Sequence, residues 1–157
     1  MRPMSDAHRH EEALQAALAA FAAQHHLASA AGQLAAGPAM HVERLDRPGA
    51  YLLVPIRTAA GLRGIVQLDE GTLAAELSAA IRNPAASFLA TQDEALAAAR
   101  AALPHQRDWG KPFLGWRPCR ESFDSLRPLW VVPHTGGQAY VTQNGEVFEE
   151  LSAGKGG

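Results

Sequence analysis

An α+β fold, with helices packed on an antiparallel β-sheet, is what this sequence predicts, and three observations carry it. Two stretches have helical character: an Ala-rich run from residue 6 to about 36, and a shorter one opened by Thr91-Gln92-Asp93-Glu94. Between and after them, short apolar runs are separated by turn residues, not by the long crossovers that parallel strands require. The arrangement also echoes itself. Tyr51-Leu52-Leu53-Val54-Pro55 followed by Gly64 to Leu73 has a counterpart in Leu129-Trp130-Val131-Val132-Pro133 followed by Gln138 to Val147. A repeat of this kind predicts duplicated helix-plus-hairpin units.

Taken in order, the first helix places Leu14, Leu18, Phe21, His25 and Ala28 on one face at spacings of three and four. Ser5 or Asp6 caps its start, Gly32 permits a break, and Gly37-Pro38 stops it. Met40 to Leu45 reads as a strand closed by the turn Asp46-Arg47-Pro48-Gly49. Tyr51 to Ile56 and Leu62 to Leu68 read as a hairpin around Ala59-Ala60-Gly61. Thr72 to Ile81 carries Leu73, Leu77 and Ile81 at helical spacing, with Asn83-Pro84 ending the run. In the Thr91–Glu94 capping box, hydroxyl and carboxylate reciprocally satisfy free backbone amides, and the helix runs to Leu103 before Pro104. Phe113 to Arg117, Leu129 to His134, Ala139 to Gln143 and Glu146 to Leu151 read as strands. Asn144-Gly145 predicts a type I′ hairpin, which needs positive φ at both positions. The expected organisation is a single domain over 1–151 made of two repeats, about 6–82 and 91–151, with a flexible tail at 152–157.

Composition narrows the function classes. A chain of 157 residues buries roughly 68–70% of its unfolded surface and needs no staples. A net charge of −2 argues against a coat for nucleic acid or anionic lipid. The lone Cys119 excludes an internal disulfide and a multi-cysteine zinc site. The N-terminal stretch lacks the apolar core of a signal peptide, and no apolar run reaches the length of a membrane span. The expectation is a soluble cytoplasmic protein.

The C-terminal half resembles the PepSY family, small helix-plus-hairpin modules related in shape to cystatins. The residues that carry the resemblance are Thr91-Gln92-Asp93-Glu94-Ala95-Leu96, Leu129-Trp130-Val131-Val132, Tyr140-Val141 and Asn144-Gly145-Glu146-Val147. The first half would be a second, more diverged copy, built from the N-terminal helix, Tyr51 to Ile56 and Gly64 to Leu73. The stretch from Trp109 to Leu126 is longer and richer in charge than the link between strands in that family. The resemblance implies a binding or peptidase-restraining role.

The densest unusual segment runs from Trp109 to Trp130 and holds all three tryptophans, the only cysteine and several arginines. Trp and Arg are enriched at binding hot spots, so Trp116, Arg117, Arg120, Glu121 and Trp130 are the candidate contact surface. The competing reading is that Trp116 and Trp130 fill the core while the arginines lie along its edge. Cys119 could act as a nucleophile, with Arg117 and Arg120 lowering its pKa and His105 or His134 as base; equally, it could be a buried small hydrophobe. Among the histidines, His8 and Glu12 form an i, i+4 pair near His10 and Glu11, but no His-Glu-x-x-His and no Cys pair exists. His25 and His26 point about 100° apart on a helix. No metal or cofactor is expected. Asp69-Glu70 and Glu149-Glu150 point to opposite sides of a strand and make no acid/base couple. Gly61-Leu62-Arg63-Gly64 is too short for a phosphate loop. Arg107, Lys111, Arg117, Arg120 and Arg127 interleave with tryptophans, but Asp108, Glu121 and Asp124 dilute the field, so nucleic acid is not the expected partner.

The sequence thus points to a non-enzymatic accessory module that binds a protein or peptide, an extended peptide adding to a sheet edge. The alternative is a self-assembling structural protein, a homodimer through the Ala-rich N-terminal helix. A third reading is a Cys119-dependent hydrolase or transferase.

Overall fold

The computed structural model of the protein describes residues 6–25, 33–85 and 90–152. Ser5, His26, Ala28, Gly32 and residues 153–157, named above, lie outside these. In chain order the elements are α1 (Asp6–Gln24), β1 (Ala35–Ala36), β2 (Met40–Arg44), β3 (Ala50–Thr58), β4 (Gly61–Asp69), β5 (Ala75–Ala85), α2 (Gln92–Ala102), β6 (Phe113–Trp116), β7 (Leu129–His134), β8 (Gly137–Val141) and β9 (Val147–Phe148). The class is α+β with mostly antiparallel strands. Two compact units divide the chain, Met1–His41 with Ala50–Phe88, and Val42–Gly49 with Leu89–Gly157.

In the first unit, β3, β4 and β5 form an antiparallel meander, and β1 pairs with the end of β3. Helix α1 buries Ala13, Ala17 and Phe21, spaced by four, against Val54, Ile56, Val66 and Leu68. The apolar stripe of the Ala-rich helix is therefore used on its own sheet. Small alanines let the helix approach closely, and Phe21 fills the remaining depth at 0% exposure.

Thr72 to Ile81, expected as a helix, is instead a tight turn followed by the start of β5. Asp69 Oδ1 accepts hydrogen bonds from the backbone N and the hydroxyl of Thr72 at 2.8 and 3.1 Å. Leu73 adopts φ +62°, and the Leu73 amide donates to Asp69 O at 2.9 Å. The sequence misleads here for a simple reason. A spacing of four, as in Leu73, Leu77 and Ile81, is one helical turn and also two periods of a strand.

In the second unit, β6, β7, β8 and β9 pair antiparallel in order, while Glu43 and Arg44 of β2 pair parallel with Gly115 and Trp116. Helix α2 starts at the predicted cap: Thr91 is extended, and its hydroxyl accepts the Glu94 amide at 3.1 Å, which is the Thr91 half of the expected capping box. Ala95 and Ala99 pack on Val132, Ala139 and Val141, with Trp109, Trp130 and Val147 at the margin. The predicted last strand shrinks to Val147–Phe148. The turn before it is not type I′. Only Gly145 has positive φ, +84°; Gly145 N donates to Thr142 O and Thr142 N to Glu146 O. This is the three-residue pattern in which a type I turn is followed by a left-handed glycine.

Candidate functional site

The link between β6 and β7 is a loop tied down by its own polar groups. The Trp116 indole Nε1 and the Cys119 thiol both donate to Ser122 O, at 3.1 and 3.4 Å. The Ser122 hydroxyl donates to Arg127 O at 2.6 Å, the Arg127 amide to Asp124 O at 2.9 Å, and the Leu126 amide to Asp124 Oδ1 at 2.9 Å. Ser125 and Leu126 are buried beneath. What this closed loop presents outward is Phe123, 76% exposed. Around it lies an open hollow of about 320 Å³, lined among others by Arg120, Asp124, Arg127, Gln143 and Asn144, a volume at the lower end for ligand sites.

The five residues singled out from sequence separate into different roles. Trp116 is half-buried and holds the loop from below. Trp130 is also half-buried, and its Nε1 donates to Ala90 O at 2.7 Å. Arg117 donates to Leu151 O at 2.6 Å. Glu121 accepts the Ser152 amide at 3.0 and 3.1 Å and the Ser152 hydroxyl at 2.6 Å. Arg117 and Glu121 therefore clasp the segment that follows β9. Desolvation pushes the Glu121 carboxyl upward, but the hydrogen bonds from Ser152, the hydrogen bond of its own backbone and the charge of Arg117 together hold the group below its ordinary value. Arg120 alone of the five is exposed, and together with Glu121 it lines the hollow beside Phe123.

Phe123 was the residue that sequence reasoning passed over. The signal was present: Arg120-Glu121-Ser122-Phe123-Asp124-Ser125 is a polar run with one large aromatic inside it. A phenylalanine without apolar neighbours in sequence has no strand or helix face to join. Among the described residues, the large hydrophobics that stay exposed are Phe123 and Leu77.

Cys119 is 1% exposed, and burial, with the nearby charge of Glu121, pushes its thiol upward. A thiol so placed is a poor nucleophile at neutral pH. Alkylation by iodoacetamide at neutral pH should be on the order of a hundredfold slower in the folded protein than in denaturant, followed by intact mass. Comparable rates in both states would restore Cys119 as a catalytic candidate.

The histidines are dispersed. His8 lies 3.3 Å from Glu12, His10 Nε2 accepts the Ala39 amide at 3.1 Å, and His25 Nε2 lies 3.1 Å from Ser78 Oγ. Among the described residues no three His, Cys, Asp or Glu side chains gather as metal ligands, and no helix is long and apolar enough to cross a membrane. Compared with protein-family models, curated proteins and solved structures, the chain has no significant match.

Proposed function

We propose that the protein is a non-enzymatic binding module whose contact surface is the loop around Phe123. The observation that carries this reading is the combination of a highly exposed phenylalanine with a rigid backbone beneath it. Keeping an aromatic ring in water forgoes about 2 kcal/mol of burial, and the loop that does so is cross-braced at Ser122, Asp124 and Arg127. Preorganised aromatic side chains flanked by arginines are the composition of interface hot spots. The partner that fits is a protein or peptide with an apolar side chain for Phe123 and a carboxylate for Arg120 or Arg127.

This refines the mechanism expected from sequence. In the second unit the sheet ends at β9, two residues long, so an added peptide would find little backbone ladder there. Side-chain anchoring at Phe123 replaces strand addition. The PepSY-like reading, with two diverged helix-plus-hairpin copies, stays part of the proposal. It is supported by a helix covering an antiparallel sheet in each unit, α1 on β3 and β4, α2 on β7 and β8. The supporting roles differ: Trp116 holds the loop, Arg117 and Glu121 hold the segment that follows β9, and Trp130 holds Ala90 before the start of α2.

The test is selection of displayed peptides on the whole protein, followed by affinity measurement on F123A and on R120A/R127A. Enriched peptides should pair an apolar side chain with Asp or Glu. F123A should weaken them by about 2 kcal/mol, roughly thirtyfold. Peptides that bind F123A and R120A/R127A as tightly as the native chain would overturn the assignment.

A further inference from the structure

The first unit holds a hollow of its own, about 410 Å³ in volume and within the range of small-molecule sites. Phe21, Ala80 and Ile81 give it apolar walls, and His25 completes them. The rings of Phe21 and His25 lie 4.6 Å apart, tilted by 46°. His25 Nε2 is held 3.1 Å from Ser78 Oγ. An aromatic wall fixed in this way suits a flat or extended apolar body.

One cation is aimed into this apolar space, and an irregularity in the sheet aims it. Gly64 faces α1, since a Cβ there would meet the Phe21 ring. In a regular strand its neighbour Arg63 would therefore project from the opposite face. The strand is not regular at that point. On the β3 side, Ile56 pairs with Gly64 and Arg57 with Leu62, which leaves Arg63 as an extra residue. On the β5 side, Leu62 pairs with Ala85 and Gly64 with Ala80, so Arg63 lacks a partner there as well. Bulges re-aim side chains and recur beside functional sites, and here Arg63 lines the hollow together with Phe21. Among the described residues its guanidinium has no hydrogen-bond or ion-pair partner, and none of those lining the hollow is an Asp or Glu. The stretches 26–32 and 82–89, which adjoin His25 and Ile81 in sequence, contain no acidic residue either. A half-buried charge without a counter-charge is unfavourable, and a bound anion relieves it. The Thr58 hydroxyl, also at the hollow, accepts the Ala60 amide at 3.2 Å, so its own proton is available to donate.

We infer that this hollow is a binding site for a small apolar monocarboxylate, an acid with an aromatic or short aliphatic body. The carboxylate pairs with the Arg63 guanidinium, whose planar fork matches its two oxygens, and accepts the Thr58 proton. The body lies against Phe21 and Ile81. A carboxylate fits better than a phosphate, because one fixed cation balances one negative charge and a strongly hydrated dianion gains nothing from apolar walls. The site belongs to the first unit and does not depend on the role of the Phe123 loop in the second.

Comparing an acid with its neutral isostere on the full chain tests it. Titration of the isotope-labelled protein with 3-phenylpropionate, followed by NMR, should give saturable shifts at the amides of Arg63 and Gly64. The expected dissociation constant is on the order of 100 µM, in line with the efficiency of ligands of this size. The amide of the same acid, 3-phenylpropanamide, should bind about tenfold more weakly, having lost the charge-assisted bonds. Inorganic phosphate should not displace the acid. R63Q, a polar replacement at a half-buried position, should bring acid and amide to equal affinity. A80F fills the hollow and should abolish binding of both, with far-UV circular dichroism staying native. An acid that gives no saturable shifts up to about tenfold above the expected constant overturns the inference, as does equal affinity for acid and amide in the native chain. Both of those outcomes are read without any variant. A preference for the acid that survives R63Q, or its displacement by phosphate, would overturn it too.

Discussion

Phe21→Ala is expected to lower the unfolding free energy of the first unit by about 3–5 kcal/mol, the range for deleting a fully buried phenyl ring. Phe21 has 0% exposure and seats α1 on the sheet beside Val54, Ile56, Val66 and Leu68. The position facing it is Gly64, where an added Cβ would lie 2.2 and 2.6 Å from two Phe21 ring carbons and 2.7 Å from Ala79 O. Gly64→Ala therefore overpacks the same contact and should cost about 2–3 kcal/mol. Removing the ring removes part of that clash, so in a Phe21→Ala background the Gly64→Ala cost should fall to about 1 kcal/mol, the Ala79 carbonyl remaining in place. Urea denaturation followed by far-UV circular dichroism measures the cycle. Strictly additive losses would mean that Gly64 is required for a reason other than room for Phe21.

What the sequence made legible was local chemistry. The Thr91 cap was readable because its geometry involves neighbours only three residues apart. The strands Tyr51 to Ile56 and Leu129 to His134 were readable because nearly continuous apolar runs of β-branched and aromatic residues have few other uses. Thr72 to Ile81 was not, because its spacing of four satisfies both periods, and the Asp69 turn that decides between them is a set of hydrogen bonds rather than a composition. The candidate site was half legible. The segment from Trp109 to Trp130 contains the loop around Phe123, yet large aromatics and arginines look alike on paper whether they face a partner or brace a loop. Trp116 and Phe123 are seven positions apart, and the hydrogen bond to Ser122 O turns one inward while the loop turns the other out. Arg117 and Glu121 looked like surface charges because their partners, Leu151 and Ser152, lie 34 and 31 residues away in sequence.

The difference between brace and contact has a measurable consequence at Trp130. Trp130→Ala should lower the stability of the second unit by about 3 kcal/mol, the lower end for losing a large core aromatic, since the ring is half-buried. It packs against the cluster of Ala95, Ala99, Val132 and Val141, and its Nε1 fixes Ala90 O, just before the Thr91 cap. Trp130→Phe keeps most of the packing and removes the donor, leaving a carbonyl without its partner; the expected loss is about 1 kcal/mol. All three tryptophans lie in this unit, so Trp109 and Trp116 fluorescence still reports its unfolding in both variants. Phe123→Ala should leave the same denaturation curve within about 0.5 kcal/mol, as for an exposed side chain whose neighbours do not rest on it. The pairing is informative because the two residues are expected to trade places between assays. Trp130 should move stability, with peptide affinity unchanged under conditions where the unit remains folded. Phe123 should move affinity alone. Should Trp130→Phe weaken peptide binding at full folded population while Phe123→Ala does not, the contact surface would lie on the sheet beside Ala90 and the loop would be the brace.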